Sequence, residues 1–182
     1  MNRDLGIYTP IGASGFELCH PVHTKDFDRI IREIDGVSRK SNWTTIEMKI
    51  VREDEGGQLK ESDAPWLGSH ALVFRSHAVE KLNTELLAFG ELLPLECGEG
   101  GLWIYNPGPV LDALDVSRAS VVRFRDGRIM MVERYAFKED VIRGVHIFKI
   151  AGMKVSPTFV SQQFLDLWVS CGLRGLEFQK VS

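Results

Sequence analysis

The chain has 182 residues, 44% hydrophobic and 26% charged, with a formal net charge of −3 and a pI near 6.0. This is ordinary globular composition for about one domain, and a chain of this length buries roughly 70% of its unfolded surface without disulfides or metals. The mild acidity speaks against a nucleic-acid footprint, which needs a basic patch or stripe.

Three widely separated cysteines, Cys19, Cys97 and Cys171, make a disulfide framework improbable and point to a reducing compartment. Met1 to Leu18 lacks a charged region followed by an apolar one, and no apolar run approaches the ~20 residues of a membrane-spanning helix, so the expected location is the cytoplasm.

In chain order, Met1 to His23 carries Gly6, Pro10, Gly12, Gly15 and Pro21 and reads as an irregular arm with one short strand around residues 15–18. Asp26 to Asp35 is a predicted helix, because Phe27, Ile30, Ile31 and Ile34 form a one-sided apolar stripe and Gly36 sits where a C-terminal glycine would stop it. Trp43 to Val51 alternates Ile46, Met48 and Ile50 with Glu47 and Lys49, the pattern of a half-buried strand. Arg52 to Ser62 reads as a polar surface loop.

Leu72 to Phe74 is a short apolar strand, and Ser76 is placed as the N-cap of a helix lined by Val79, Leu82, Leu86 and Phe89 that ends at Gly90. Leu92–Glu96 and Leu102–Tyr105 flank the glycine-rich Gly98–Gly101 as a hairpin. Ser120–Arg125 and Arg128–Tyr135 flank Asp126-Gly127, a strong hairpin signal whose usual turn needs positive φ at both central residues. The densest basic stretch, Arg118 to Arg128, alternates with apolar residues and reads as strand faces. His146–Ile150 is a strand, Ser161 caps a last helix with Phe164, Leu167, Trp168 and Cys171 on one face, and Leu176–Val181 closes as a strand. About three helices and six or more short strands, joined mainly as hairpins, define an α+β fold with a largely antiparallel sheet and helices packed on it, in a single domain over residues 1–182.

No linear motif for catalysis or cofactor binding stands out. Cys19-His20-Pro21-Val22-His23 holds metal-ligand residue types, but no second pair follows at ligand spacing. No GxSxG elbow accompanies Ser14 or Ser69, and Gly98-Glu99-Gly100-Gly101 lacks the lysine of a phosphate loop. Asp112 and Asp115 read as turn formers, and Cys171 as core. No catalytic residue, cofactor or metal is expected.

From Asp63 to Val181 the pattern resembles a known family. Its pieces are Asp63-Ala64-Pro65, the helix from Ser76 to Leu87, Gly90-Glu91-Leu92-Leu93-Pro94-Leu95, and Asn106 through Val110-Leu111-Asp112-Ala113-Leu114-Asp115. Tyr135-Ala136-Phe137-Lys138-Glu139, His146-Ile147-Phe148-Lys149, Phe159-Val160-Ser161 and Gly172-Leu173-Arg174-Gly175-Leu176-Glu177-Phe178 follow. This resembles the bacterial immunity-protein family numbered eleven, encoded beside polymorphic toxins. Residues 63–182 are the family-like part and residues 1–62 the variable part.

The resemblance implies a non-enzymatic protein, monomer or homodimer, that neutralises a cognate toxin by stoichiometric sequestration and engages neither nucleic acid nor membrane. It carries over no site residues. The toxin-binding surface is expected on acidic loops near hairpins, at Asp54, Glu55, Glu96 and Glu99, with Trp66 as an anchor, because complementary charge speeds association. Two alternatives stand beside it. One is a small hydrolase whose active site is assembled only in three dimensions, and the other a homo-oligomeric module pairing through a sheet edge.

Overall fold

The computed structural model describes residues 6–153 and 155–182. Strands β1 (Ile7–Gly12) and β2 (Leu18–Pro21) precede helix α1 (Lys25–Glu33). Then come β3 (Met48–Val51), β4 (Glu53–Asp54), β5 (Gly57–Gln58) and β6 (Val73–Arg75), followed by α2 (Ser76–Ala88). Next are β7 (Gly90–Leu95), β8 (Leu102–Pro107), β9 (Val110–Leu111), β10 (Ser120–Arg123) and β11 (Ile129–Arg134). The one-turn α3 (Glu139–Ile142), β12 (Ile147–Ile150), β13 (Phe159–Ser161), α4 (Gln162–Ser170) and β14 (Leu176–Lys180) complete the order.

The strands form a five-stranded sheet in the order β14-β1-β13-β12-β9, a three-stranded sheet β6-β8-β7, and the ribbons β2-β3, β4-β5 and β10-β11. All these pairings are antiparallel except β9 with β12, so the fold is α+β.

The three-stranded sheet carries apolar residues on both faces, and strand alternation sorts them. Phe74 and Tyr105 point toward α2 and α4, where they join Leu82, Leu86, Phe164 and Trp168. Val73 and Ile104 point the other way, toward Ile30 of α1, Ile34 just after it, and Ile46, Met48 and Leu93. The Tyr105 hydroxyl donates to the Leu86 carbonyl at 2.9 Å, which satisfies the polar tip of an otherwise enclosed ring. A third core lies against the five-stranded sheet. There Phe137 stands edge-on to Phe148 and Phe159, with ring centroids 5.8 and 5.4 Å away.

The three helices and the two hairpins over residues 90–107 and 120–134 match the sequence reading, and Ser161 accepts from the Phe164 amide at 3.4 Å as the cap of α4. Several local expectations differ. The N-terminal arm is no irregular lead-in, because β1 runs between β14 and β13, pairing Tyr8 with Lys180 and Ile7 with Ser161. Pro10 is tolerated because β13 reaches only Ile7 and Tyr8, so the missing amide faces no partner strand there. Met1 to Leu5 lie outside the described residues.

The polar segment after Arg52 folds into the β4-β5 ribbon rather than a plain loop. Ser76 opens α2 as its first helical residue. Arg75 takes the cap position and makes no side-chain capping bond. On α1, Phe27 and Ile31 stay exposed while Ile30 and Ile34 are buried, so half of the predicted stripe faces out. At the second hairpin only Gly127 adopts positive φ, +87°, and Asp126 instead accepts from the Arg128 amide at 3.1 Å. Strands β9 and β13 and helix α3 are too short to leave a periodic signal.

Candidate functional site

Glu17 is buried, with its side chain 1% exposed, and it gathers three chain segments. One carboxylate oxygen accepts from Arg52 Nε at 2.9 Å; the other accepts from Arg75 Nη2 at 2.8 Å and the Ser62 amide at 3.1 Å. Arg52 also pairs with Glu99 in the turn between β7 and β8, and this hydrogen bond holds the Glu99 carboxyl below its usual range. Next to the cluster, Asp63 Oδ1 lies 2.8 Å from His77 Nδ1. Its other oxygen accepts from the Arg174 amide at 2.8 Å. An acid buried without such partners would be costly, and here each oxygen is bonded.

Of the expected toxin-facing residues, Glu99 touches this cluster, and Asp54 and Glu55 follow Arg52 in the chain. Asp54 is exposed on the β4-β5 ribbon and accepts from the Gly56 amide at 2.8 Å. Glu55 is exposed in the same turn. Glu96 is exposed, and its backbone bridges in parallel to Glu47 just before β3. Glu99 is exposed and shared with Arg52. Trp66 is half-buried, packed on the α2–α4 core and closing over Gly12, where a Cβ would sit 2.6 Å from its ring. Its backbone bridges to Leu18. The structure therefore brings Glu99 to Arg52 and the 53–58 ribbon to the same β2-β3 end, while Trp66 serves the packing on the far side of β2.

Sequence reasoning missed Glu17 and Lys149. Both are lone charges in apolar strand patterns, Phe16-Glu17-Leu18 and Phe148-Lys149-Ile150, and that interruption was the available signal. Lys149 is buried and donates to the His70 and Ser156 carbonyls at 2.6 and 3.0 Å. Burial lowers its pKa to about 8. Burial, together with the Lys149 charge, lowers that of His70 to about 4. Burial pushes the Cys19 thiol up to about 12, so this cysteine is an inert core group rather than a nucleophile.

A cavity of about 430 Å³ lies beside the start of α4, lined among others by Gly6, His146, Ser161, Gln162, Gln163 and Asp166. His146 Nδ1 contacts the Glu85 carboxylate, and its ring centroid is 5.1 Å from that of Phe89. Gln162 accepts from the Tyr8 hydroxyl at 2.5 Å and donates to Asp166 at 2.8 Å. A histidine oriented by a carboxylate is the start of an acid/base pair. The neighbouring hydroxyl, Ser161, is engaged in capping α4 instead. Among the described residues no three His, Cys, Asp or Glu side chains converge as a metal site, and no helix is long and apolar enough to cross a membrane.

Fold and site together define an α+β protein whose buried charges join its own segments. The Immunity protein family (Imm11) model matches residues 99–182, the family that the sequence resemblance indicated. Residues 63–98, which carry the first pieces of that resemblance, lie outside the matched span. No curated protein matches the chain.

Proposed function

We propose that this chain is the immunity partner of a protein toxin, which it binds one-to-one and silences by occupying its working surface. The observation that carries this reading is the immunity-family match over residues 99–182. The local chemistry supports it. Glu17, Asp63, Lys149 and Ser161 are bonded within the fold, as expected of a scaffold that presents a surface. The 182 residues act as one cytoplasmic unit, without catalytic residues or cofactor. Asp54, Glu55, Glu96 and Glu99 supply the negative charge that draws in a basic toxin face, and Trp66, half-buried on the other side of β2, is the apolar anchor at its margin.

The test is capture of catalytically inactivated products of neighbouring genes by the tagged protein, followed by titration of toxin activity. Silencing that completes at one equivalent supports sequestration. Silencing at a small fraction of an equivalent refutes it and directs attention to His146 in the cavity beside α4, with its carboxylate partner Glu85, as the acid/base pair of a hydrolase.

A further inference from the structure

The β10-β11 ribbon carries charge opposite to that of the molecule. Between Val116 and Arg134 stand five arginines (Arg118, Arg123, Arg125, Arg128 and Arg134) against two acids, Asp126 and Glu133, a local balance of +3 in a chain of −3 overall. Arg118 pairs with Asp115 and Arg128 with Asp126. Arg123 and Arg134 bond only to the Gly127 and Arg118 carbonyls, and among the described residues no carboxylate pairs with Arg123, Arg125 or Arg134.

The same ribbon exposes Val116, Phe124, Met130 and Met131, at 54%, 39%, 48% and 48%. The pairing explains why. Val121 lies opposite Val132, and this pair packs into the third core. Val122 lies opposite Met131, on the other face of the ribbon, and Ser120 opposite Arg134 shares that face. Register shifts flank the Val121–Val122 pairing and leave Met130 and Glu133 without a direct partner, the mark of β-bulges that re-aim side chains. Among the described residues the ribbon pairs with no other named strand, and Ile129 makes an isolated bridge to Met153.

We infer that the exposed surface of this ribbon is a protein-docking surface, and that its occupant is an acidic patch on the toxin. Exposed Arg, Met and aromatic side chains are the types enriched where proteins bind each other, and Lys, the type depleted there, is absent from the segment. The unneutralised guanidiniums select a carboxylate-bearing partner, because bidentate Arg–carboxylate pairs are strong and directional. The apolar side chains supply the area to be desolvated. This inference rests on the toxin-binding reading above and adds a second contact, over the third core, to the acidic one near Glu17.

The test measures the affinity of the inactivated toxin for the full-length protein, wild type against Arg123→Glu/Arg125→Glu, and separately against Met130→Ser/Met131→Ser. An unchanged melting temperature verifies each fold. Weakening of about tenfold or more in both variants, with the charge effect shrinking as salt rises, is the expected result. Full affinity in both variants overturns the docking surface while leaving the immunity reading intact. A wild-type protein that binds no toxin overturns the immunity reading itself, and this surface with it. A shift of short mixed-sequence RNA by the wild type that the Arg variant abolishes, at unchanged toxin affinity, reassigns the ribbon to nucleic acid and also overturns the inference.

Discussion

Replacing Glu17 with Gln tests whether the buried ion cluster holds the N-terminal segments to the rest of the fold. The side chain is 1% exposed, its partner Arg75 is 14% exposed, and Arg52 is 46% exposed. Removing one partner of a buried pair costs about 3–5 kcal/mol, because the other charge stays buried without compensation. Gln retains one acceptor, and Arg52 can turn to water and Glu99, so the low end applies, about 3 kcal/mol. For a chain of this size that corresponds to a drop of roughly 6–12 °C in melting temperature. Urea unfolding followed by tryptophan fluorescence reads it as a lower midpoint at unchanged slope. Glu99→Gln, which removes a solvent-exposed partner of Arg52, is expected to leave the midpoint nearly unmoved. A Glu17→Gln loss below about 0.5 kcal/mol, or one no larger than that of Glu99→Gln, would refute the view that Glu17 clamps three segments together.

Gly175 adopts φ +105°, and a Cβ there would lie 1.7 Å from Ser62 Oγ and 3.2 Å from its backbone Cα. Gly175→Ala is therefore expected to cost about 2 kcal/mol or more. Gly172→Ala, at φ +67° with open space around it, should cost only about 1 kcal/mol. Comparable losses on thermal melting would contradict the clash. His70 binds its proton near its ordinary ~6.5 when unfolded but only at about 4 when folded. The unfolded chain thus holds the extra proton between those values, so stability falls as pH drops from about 6.5 to about 4. His70→Asn should flatten that part of a melting-temperature profile, and parallel profiles would count against it. The isolated segment 99–182 should give neither cooperative unfolding nor toxin neutralisation; a sharp calorimetric transition would show it to be self-sufficient.

The elements that the sequence revealed are those with a long period or a strong cap. Leu82 and Leu86 on α2, Phe164 and Trp168 behind Ser161, and the Ile46–Met48 alternation all announce their buried faces. The N-terminal strand was hidden by Pro10, Gly6 and Gly12, residues that normally argue against a central strand. Only the short reach of β13 makes Pro10 acceptable, and that is a tertiary fact. The Asp126-Gly127 turn was recognised, but its geometry was not, because Asp126 finds a backbone donor that removes the need for positive φ. At the site, the acids at 54, 55, 96 and 99 are exposed as their polar surroundings suggest, while Trp66 serves packing more than display. Glu17 and the arginines it gathers were not foreseeable as a set, since residues 17, 52 and 75 meet only through pairings distant in sequence.

The boundary of the family match is not a boundary of the fold. Residue 99 lies in the turn between β7 and β8, so the matched span begins inside a hairpin and includes only one of its strands. The five-stranded sheet built from the matched span has β1 at its second position, between β14 and β13. Without residues 7–12, β14 has no neighbour among the named strands. The seam at Asp63 repeats the pattern, since its amide donates to the Arg174 carbonyl at 2.9 Å while its carboxylate accepts from the Arg174 amide. The matched residues thus depend on unmatched ones for three strand partners, β1, β6 and β7, and for the half-buried Asp63. A substitution that loosens β1 is expected to weaken protection through stability alone, without touching any toxin-facing side chain. Thr9→Pro serves that purpose, because it removes an amide in the segment where Thr9 pairs with Gln179. If it lowered the melting temperature by several degrees yet left protection and toxin affinity unchanged at a temperature where the variant is half unfolded, the matched segment would be functioning without β1, and the single-unit reading would fall.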